Sequence, residues 1–538
     1  GPITFIFLFI KYFASDDPPK LEVPKINTFF IIKTNIYTLI FMNKNNKYNI
    51  GLIHGVFDVL HVGHIEHFKK AKEICKTLVA SVTIDKHINK GPNRPAFSLN
   101  ERIKVLKSIK YIDKVIKSNK ETAVSNINKI KPDVYIKGLD YKNANKNSKN
   151  NLNLEINEIK KIGGIFYVTN SKLYSSSKIL NEQYDYLNTD IRKFINQLDK
   201  VLLLKKLKNF FYNSELILSN KKHKILLTGE PIIDLYTHVK VQGKSQKNNI
   251  ISTIKLKTIK EGGGTILVAN FLTEFLNELT YFVLSNKKTI KILNSFNKKG
   301  KYLKFVNVNS DNEKIIIKER FIDNYSKTRL FQVNQNEKFF NDSKTEKTFN
   351  QKLVKETLNY ENIIIFDYGY NYSNKILIKS LEKKSNKFFI NCQTNSSNYG
   401  FNLFSKYKKA EIMCIDEMEF RLTIRDKNQN IEKLIKKNIS LLKGYKIFIV
   451  TSGSKGCYIL YNKKIHFIPT VFETTSDTTG CGDIFFSCFI LFYLSKQFDL
   501  NETSLFSHIA AGLHGLNKQK NKNFTKDNFF STAQTILK

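Results

Sequence analysis

The chain has 538 residues, room for two or three cores, and its hydrophobic content of 41% is ordinary for globular domains. Lys and Arg number 87 against 47 Asp and Glu, a formal charge of +40, but the lysines are spread along the whole chain among asparagines and isoleucines, as AT-rich coding also produces. With no clustered basic arm and no aromatic-interleaved module, this argues against nucleic-acid binding, and the six cysteines, without C-x-x-C spacing, fit a reducing cytoplasm better than a disulfide scaffold.

Residues 1–47 read as an extension of unclear role. The apolar run Ile3–Ile10 lacks a basic start and a cleavage site, and is too short to cross a bilayer, which takes about 20 residues. Met42 stands just before the first strand, so an upstream start or a cloning artefact explains the segment; a peripheral membrane contact is the sharper alternative, with no firm membrane contact expected.

Residues 48–185 form the first expected domain. Tyr48–Ile53 reads as a short buried strand running into His54-Gly55-Val56-Phe57-Asp58-Val59-Leu60-His61-Val62-Gly63-His64. The spacing His61-x-x-His64 at a helix start puts both imidazoles near one face, where ring N–H donors can clamp phosphate oxygens, and Gly55 and Gly63 let a phosphate approach the backbone. A zinc pair or incidental histidines at a helix cap is the plainer alternative, but no further ligand pattern follows. Downstream, Asn89–Pro95 offers Lys90 on a rigid loop, Asn100-Glu101-Arg102 opens a helix from which Arg102 could reach phosphate bidentately, and Lys131–Tyr141 is a strand ending in Lys137, Gly138 and Asp140. The pattern Gly55-x-Phe57-Asp58-x-x-His61-x-Gly63-His64 resembles the G-x-F-D-x-x-H-x-G-H motif of the cytidylyltransferase-like nucleotidyltransferases. That resemblance implies a Rossmann-like domain in which His61 and His64 are catalytic. It puts Gly55, Phe57, Asp58, Gly63, Lys90, Arg102, Lys137, Gly138 and Asp140 at the nucleotide, and Ser175, Ser176 and Ser177 in a hydroxyl-rich loop that closes on the triphosphate.

Residues 186–222 read as a helical linker. Ile191, Phe194, Ile195, Leu198, Val201 and Leu202 make an amphipathic stripe with Asp190 near its start. A connector and a helix completing the first domain's core fit that pattern equally well, and a surface helix there is also suited to homodimer formation.

From 223 to 538, short β-branched runs alternate with helical stretches, which predicts a second α/β domain with a parallel sheet. Near the C terminus, Asp477-Thr478-Thr479-Gly480-Cys481-Gly482-Asp483 precedes the apolar Ile484–Ile490, a tight loop opening a buried helix. Backbone N–H groups of Gly480, Cys481 and Gly482 at such a helix start can stabilise a transferring phosphoryl group, and Asp483 stands where a general base is needed. This run resembles the G-A-G-D motif of the ribokinase-like (PfkB) carbohydrate kinases, with Cys481 for the alanine. The resemblance extends upstream. Thr451-Ser452-Gly453-Ser454-Lys455-Gly456, with Thr478 and Thr479, is similar to the nucleotide-holding loops, Asp234 and the pair Gly263-Gly264 to the sugar site, and Asn270 stands later than the family's asparagine. Asp416-Glu417-Met418-Glu419 replaces the usual N-x-x-E, so Asp416 and Glu419 are the implied residues near the metal.

Lys137-Gly138-x-Asp140-Tyr141, the Arg94-Pro95 loop and the Ser-rich segment look most like the adenylyltransferase half of bifunctional heptose kinase/adenylyltransferases, whose kinase half normally comes first. Arg329 and Asp367 lie in segments similar to the substrate-facing parts of that kinase group. The implied fold is α/β throughout, a Rossmann-like nucleotidyltransferase followed by a ribokinase-like doubly wound domain. The implied activity is ATP·Mg²⁺-dependent phosphorylation of a sugar or sugar phosphate, and nucleotidyl transfer to a sugar 1-phosphate giving an ADP-sugar. CTP in place of ATP at the first domain, for an alditol or sugar phosphate, is the alternative within this class; a nucleic-acid-binding protein and a non-catalytic scaffold are the alternatives outside it.

Overall fold

The computed structural model describes residues 48–88, 94–138, 146–170, 187–218, 224–245, 248–296, 303–309, 315–472, 477–519 and 523–537. Lys90, Asp140 and Ser175–Ser177 lie outside the described residues.

The N-terminal part alternates strand and helix: β1 (Tyr48–Gly55), α1 (Val62–Ile74), β2 (Cys75–Thr83), α2 (Leu99–Lys107), β3 (Lys114–Ser118), α3 (Val124–Ile130), β4 (Val134–Gly138), α4 (Lys146–Lys161) and β5 (Ile165–Thr169). The strands form one parallel sheet in the order β3-β2-β1-β4-β5. Both faces are covered, with Ile53, Phe68, Leu78 and Ile136 in one core and Leu52, Ile127, Tyr135 and Ile159 in another. Strand order reverses between β1 and β4, so a crevice opens beyond their C-terminal ends, where Gly55 and Gly138 stand.

Two helices follow, α5 (Thr189–Asn196) and α6 (Lys200–Leu218). Their apolar stripe, Ile191, Ile195, Leu203, Leu207 and Phe210, is buried in the core of the C-terminal part rather than in that of the first sheet. The Phe210 ring lies 4.5 Å from that of Phe492, so these helices are built into the second domain.

The C-terminal part comprises β6 (Ile225–Gly229), β7 (Pro231–Lys244), β8 (Ile251–Gly264), α7 (Thr265–Leu272), β9 (Leu279–Ser285), α8 (Lys287–Phe296), β10 (Leu303–Asn309), β11 (Ile316–Asp323) and β12 (Arg329–Gln335). It continues with α9 (Ser343–Glu356), β13 (Asn362–Asp367), α10 (Lys375–Glu382), β14 (Lys387–Cys392), β15 (Ala410–Asp416), α11 (Glu417–Ile424), α12 (Ile431–Lys437), α13 (Ile439–Leu442), β16 (Tyr445–Thr451), β17 (Gly456–Tyr461) and β18 (Lys464–Pro469). It ends in α14 (Cys481–Ser495), α15 (Leu500–Gln519) and α16 (Lys526–Leu537).

Nine strands form the main sheet, β10-β9-β6-β13-β14-β15-β16-β17-β18, parallel from β10 to β16 and antiparallel in the last hairpin. Its central strands are apolar along their length because both faces are covered; all six residues of β13 are buried. Here too the order switches, between β6 and β13. A separate four-stranded sheet, β12-β11-β7-β8, carries the inner halves of β7 and β8 near that switch point and leaves their far ends exposed. Among the described residues no helix is long and apolar enough to cross a membrane.

Candidate functional site

Two sites lie at the C-terminal ends of the two parallel sheets. In the first, β1 ends at Gly55 and the chain turns through Phe57, whose φ of 50° is rare for a bulky residue. His61 caps α1 and pairs reciprocally with His64 three residues on: the His61 N–H donates to His64 Nδ1 at 3.4 Å, and the two rings lie 4.0 Å apart. The Phe57 ring stands edge-on to His64 and to Phe68, which fixes the second imidazole from behind. Gly63, in the first turn of α1, is buried beneath them. Both imidazoles therefore sit over the positive end of a helix at a strand switch point, where an anion is stabilised.

Several residues expected at the nucleotide are committed to the protein instead. Asp58 accepts the N–H groups of Ala96 and Phe97 at 2.9 and 3.1 Å, so it anchors the loop before α2. Arg102 is 1% exposed and donates to the carbonyls of Phe97, Val56 and Thr83 and to the Asp85 carboxylate. Its guanidinium has no edge left for a bidentate phosphate contact. Lys137 is buried at the end of β4, donates to the His54 carbonyl at 3.1 Å and pairs with Glu155 at 3.7 Å. Glu155 in turn accepts from the Ala123 N–H and the Tyr135 hydroxyl, both at 2.7 Å. These partners have one cause: a polar group at the end of a buried strand, or in the first turn of a covered helix, finds backbone partners closer than solvent.

His54 and His67 belong to the same layer and were not singled out in the sequence. His54 bonds Ser81 Oγ at 2.9 Å and the Glu121 carbonyl at 3.1 Å, and His67 bonds Thr169 Oγ1 at 2.6 Å. Burial, and then the nearby Lys137 ammonium, push both imidazoles down to about 4, so they are neutral near pH 7.

In the second site, Gly480 caps α14 with φ 81°, a left-handed conformation that glycine adopts without strain; a Cβ there would also collide with Leu267. Cys481 and Gly482 are the first two residues of α14, and their N–H groups are among those a helix start leaves without intrahelical partners. Asp483, one residue further, is buried and accepts from Gln393 Nε2 at 2.8 Å. Burial raises its carboxyl to about 6, against the opposing pull of Gln393, Tyr368 and Lys318. A carboxylate with that ionisation beside a helix N-terminus is suited to taking a proton from a hydroxyl while charge builds on an adjoining phosphoryl group.

Around it, Asp234 on β7 pairs with Arg320 on β11 and packs so closely over Gly263 that any Cβ there would strike its carboxylate. Gly264 caps α7, and its own Cβ would meet the Glu230 carbonyl. Arg329, on β12, donates to Asp477 at 2.8 Å and to Thr479 Oγ1 at 3.1 Å, while Thr478 accepts the Cys481 N–H through its carbonyl. Thr451 ends β16 directly beside Asp416 at the end of β15, and Gly453, Lys455 and Gly456 form the turn into β17. This brings the expected nucleotide loop to the same sheet edge.

Other expected residues also have partners or positions within the protein. Asp367, expected at the substrate, is 1% exposed and is held by Lys406, Ser373, the Tyr407 hydroxyl and Asn402. Burial would raise Asp367, but Lys406 outweighs it and the group is held low; the neighbouring Glu230, equally buried and accepting the Tyr368 and Tyr370 N–H groups, takes the upward shift. Asn270 sits well along α7, roughly 8 Å down its axis from Thr265 at ~1.5 Å per residue, away from the glycine pair. Asp416 and Glu419 make a reciprocal cap of α11: Asp416 accepts the Met418 N–H at 2.7 Å, and Glu419 accepts the Asp416 and Thr394 N–H groups at 2.8 and 2.9 Å. Both Glu419 oxygens are thus engaged, burial raises that carboxyl to about 7, and no group of three metal-ligating side chains occurs among the described residues. Gln393, Lys318 and Lys406 were missed by sequence reasoning, and Glu230 and Arg320, in segments likened to the kinase family, were given no role of their own. Only the alternation Lys318-x-Arg320 on a strand gave a local signal, putting two cations on one face.

Residues 52–182 match the family model "Cytidylyltransferase-like" and residues 292–514 match "pfkB family carbohydrate kinase". Among curated proteins, the bifunctional protein HldE of Campylobacter concisus is 35% identical over 103 residues, 19% of this chain and 22% of that protein. The Helicobacter hepaticus protein of the same name is 33% identical over 136 residues, 25% of this chain and 28% of its own. The chain thus spans about a quarter of the length of these relatives. Among solved structures, phosphofructokinase-2 from Escherichia coli with potassium has a TM-score of 0.46 at 13% identity, covering 59% of this chain and 99% of its own. Ribokinase from Giardia lamblia has 0.45 at 16% identity, covering 57% and 98%. The chain carries, in this order, a cytidylyltransferase-like domain and a pfkB-family carbohydrate kinase domain.

Proposed function

We propose that the protein is a bifunctional sugar-activating transferase that phosphorylates a heptose-like sugar or sugar phosphate and transfers a nucleotidyl group, AMP from ATP, to a sugar 1-phosphate, giving an ADP-sugar. The observation that carries the reading is the start of α14, where Gly480 and the buried Asp483 stand together at a strand switch point.

In the kinase step, Asp483 accepts the proton of the acceptor hydroxyl as its oxygen bonds to the γ-phosphorus. The bond from that phosphorus to the bridging oxygen breaks, and ADP leaves with the electron pair. The start of α14, with the Gly482 amide, stabilises the equatorial oxygens. Asp234, fixed by Arg320, is placed to accept from sugar hydroxyls. A divalent ion bound with the nucleotide would neutralise phosphate charge. The donor set fits an ion held chiefly by phosphate oxygens, with the exposed Asp416 the carboxylate that would face it.

In the nucleotidyl step, an oxygen of the sugar 1-phosphate attacks the α-phosphorus and pyrophosphate leaves. His61 and His64 donate to the phosphate oxygens above the helix start. We place the enzyme in the cytoplasm, in keeping with six free cysteines of which Cys481 alone is not fully buried.

The test uses the full chain with Mg²⁺, ATP or CTP, and a panel of sugars, sugar phosphates and sugar 1-phosphates, following ADP and pyrophosphate separately. Pyrophosphate release with ATP and a heptose 1-phosphate supports the ADP-sugar; release with CTP alone moves the assignment to a cytidylyltransferase. Asp483→Asn should abolish ADP formation and spare pyrophosphate release, and His64→Ala should do the reverse. Wild-type protein inactive in both assays would overturn the reading.

A further inference from the structure

β11 and β7 run side by side in parallel register, with Lys318 paired opposite Asp234 and Arg320 opposite Tyr236. The two cations on this strand differ in their surroundings. Arg320 is bound to Asp234 and lies over the Tyr236 ring. The Lys318 side chain has no hydrogen bond and no ion pair among the described residues; its ammonium rests 5.4 Å from the centre of the Tyr370 ring. It is only partly exposed, and the fields of Asp234, Asp483 and Glu230 all act on it. Burial lowers its pKa, Arg320 lowers it further, and those three carboxyls oppose them. A cation carried into a closed space by a strand, surrounded by carboxyls that neutralise it and hydrogen-bonded to none of them, keeps its N–H donors available.

Strand register defines where it points. Directly paired residues of neighbouring strands project to one face of a sheet, so Lys318 stands on the same side as Asp234, with its ammonium over the Tyr370 ring beyond the end of β13. Arg320 is excluded as a free donor by its bond to Asp234. Arg329 is excluded by its bonds to Asp477 and Thr479, and Lys518 by the Tyr236 hydroxyl, Glu261 and Asp477.

We propose that Lys318 is a catalytic cation of the kinase step, donated by the four-stranded sheet, whose ammonium bonds to a γ-phosphoryl oxygen of ATP. The inference rests on the kinase reading given above. Lys318 stays protonated throughout: the acceptor's proton goes to Asp483, the new oxygen–phosphorus bond forms as the bond to ADP breaks, and the ammonium offsets negative charge on the phosphoryl oxygens. It also favours the ionised form of Asp483.

Equilibrium binding separates the two ideas, because it needs no knowledge of the sugar. Full-length protein with Mg²⁺ is titrated calorimetrically with the non-hydrolysable analogue AMP-PNP and with ADP. Lys318→Met should weaken AMP-PNP roughly tenfold or more and leave ADP within about twofold, since a charge-assisted bond to the γ-phosphoryl is lost and nothing else. Lys318→Arg should recover most of the AMP-PNP affinity. Equal weakening of both nucleotides, or of neither, overturns the inference, and the kinase reading is then judged separately by ADP formation from the sugar panel. A wild-type chain that binds neither nucleotide overturns the kinase reading and this inference with it. If Lys318→Met does not fold, Lys318→Gln is measured in the same way, and failure of both to fold assigns the lysine to structure and ends the proposal.

Discussion

Gln393 donates both hydrogens of its amide, one to Asp483 at 2.8 Å and one to Asn391 Oδ1 at 2.6 Å, so the buried carboxylate is steadied directly by a neutral group held from β14. Asp483, raised by burial to about 6, is kept from rising further partly by this bond. Gln393→Leu removes it. A hydrogen bond to a charged group contributes about 1.5–3 kcal/mol, so the carboxyl should move up by about one to two pH units. A general base works deprotonated, and the acid limb of kinase kcat/KM should shift from near pH 6 to higher pH with the alkaline plateau far less affected. An unmoved limb would show that another group titrates.

Gly263 has a second consequence. Its missing side chain is the space that the Asp234 carboxylate occupies, so Gly263→Ala should displace Asp234 and break its pairing with Arg320. The acceptor KM should rise about 10- to 100-fold, the range expected for losing one or two bonds to a charged group, while affinity for ADP is unchanged. Equal loss of both would mean that the strand pair itself had been disrupted.

These two cases mark what the sequence makes legible. Helix starts are local: Gly480 to Asp483 and His61 to His64 declare their geometry within four residues, and the structure puts each at a helix N-terminus. The apolar stripe of Ile191 and Ile195 likewise announces a helix but not which core it joins, because that depends on partners such as Phe492, nearly 300 residues away. The fate of a polar side chain is equally non-local. Arg102 is turned inward by the Val56 carbonyl, 46 residues upstream, and Asp367 by Lys406 and Tyr407. In one dimension these look the same as groups that reach a ligand. The sheet built from β7, β8, β11 and β12 has no single motif, since its inner and outer halves differ in burial along the same strand.

Arg102 yields a prediction of the opposite kind to a binding residue. With its guanidinium satisfied inside the protein, Arg102→Met should destabilise the N-terminal domain by about 2–4 kcal/mol, since the carbonyls of Phe97, Val56 and Thr83 lose a charged donor while the half-exposed Asp85 can be solvated. The kinase activity should be retained, and nucleotidyl activity should be lost in proportion to the unfolded fraction measured by denaturant titration. Normal stability with a raised KM for the nucleotide would instead return Arg102 to the ligand.

Acid should act unequally on the two domains. In the N-terminal domain, burial and then Lys137 hold His54 and His67 down to about 4 when folded, below the ordinary 6.5. The unfolded chain therefore binds more protons than the folded one between those values. The stability these residues permit is complete above pH 6.5 and is lost as pH falls towards 4. His508 and His514, lowered by burial to about 3 and about 4, act in the same direction in the kinase domain. There, however, burial raises Asp483 to about 6 and Glu419 to about 7, so as pH falls the folded state takes up protons at these carboxylates before the unfolded one does, and acid offsets part of the loss. Hydrogen exchange corrected for intrinsic rates should show β1 and β4 losing protection between pH 6.5 and 5 ahead of β13 and β14. Replacing His54 by Gln, which keeps hydrogen bonding to Ser81 and the Glu121 carbonyl available but cannot titrate, should flatten that dependence. Simultaneous loss in both domains would show that these carboxyls do not compensate.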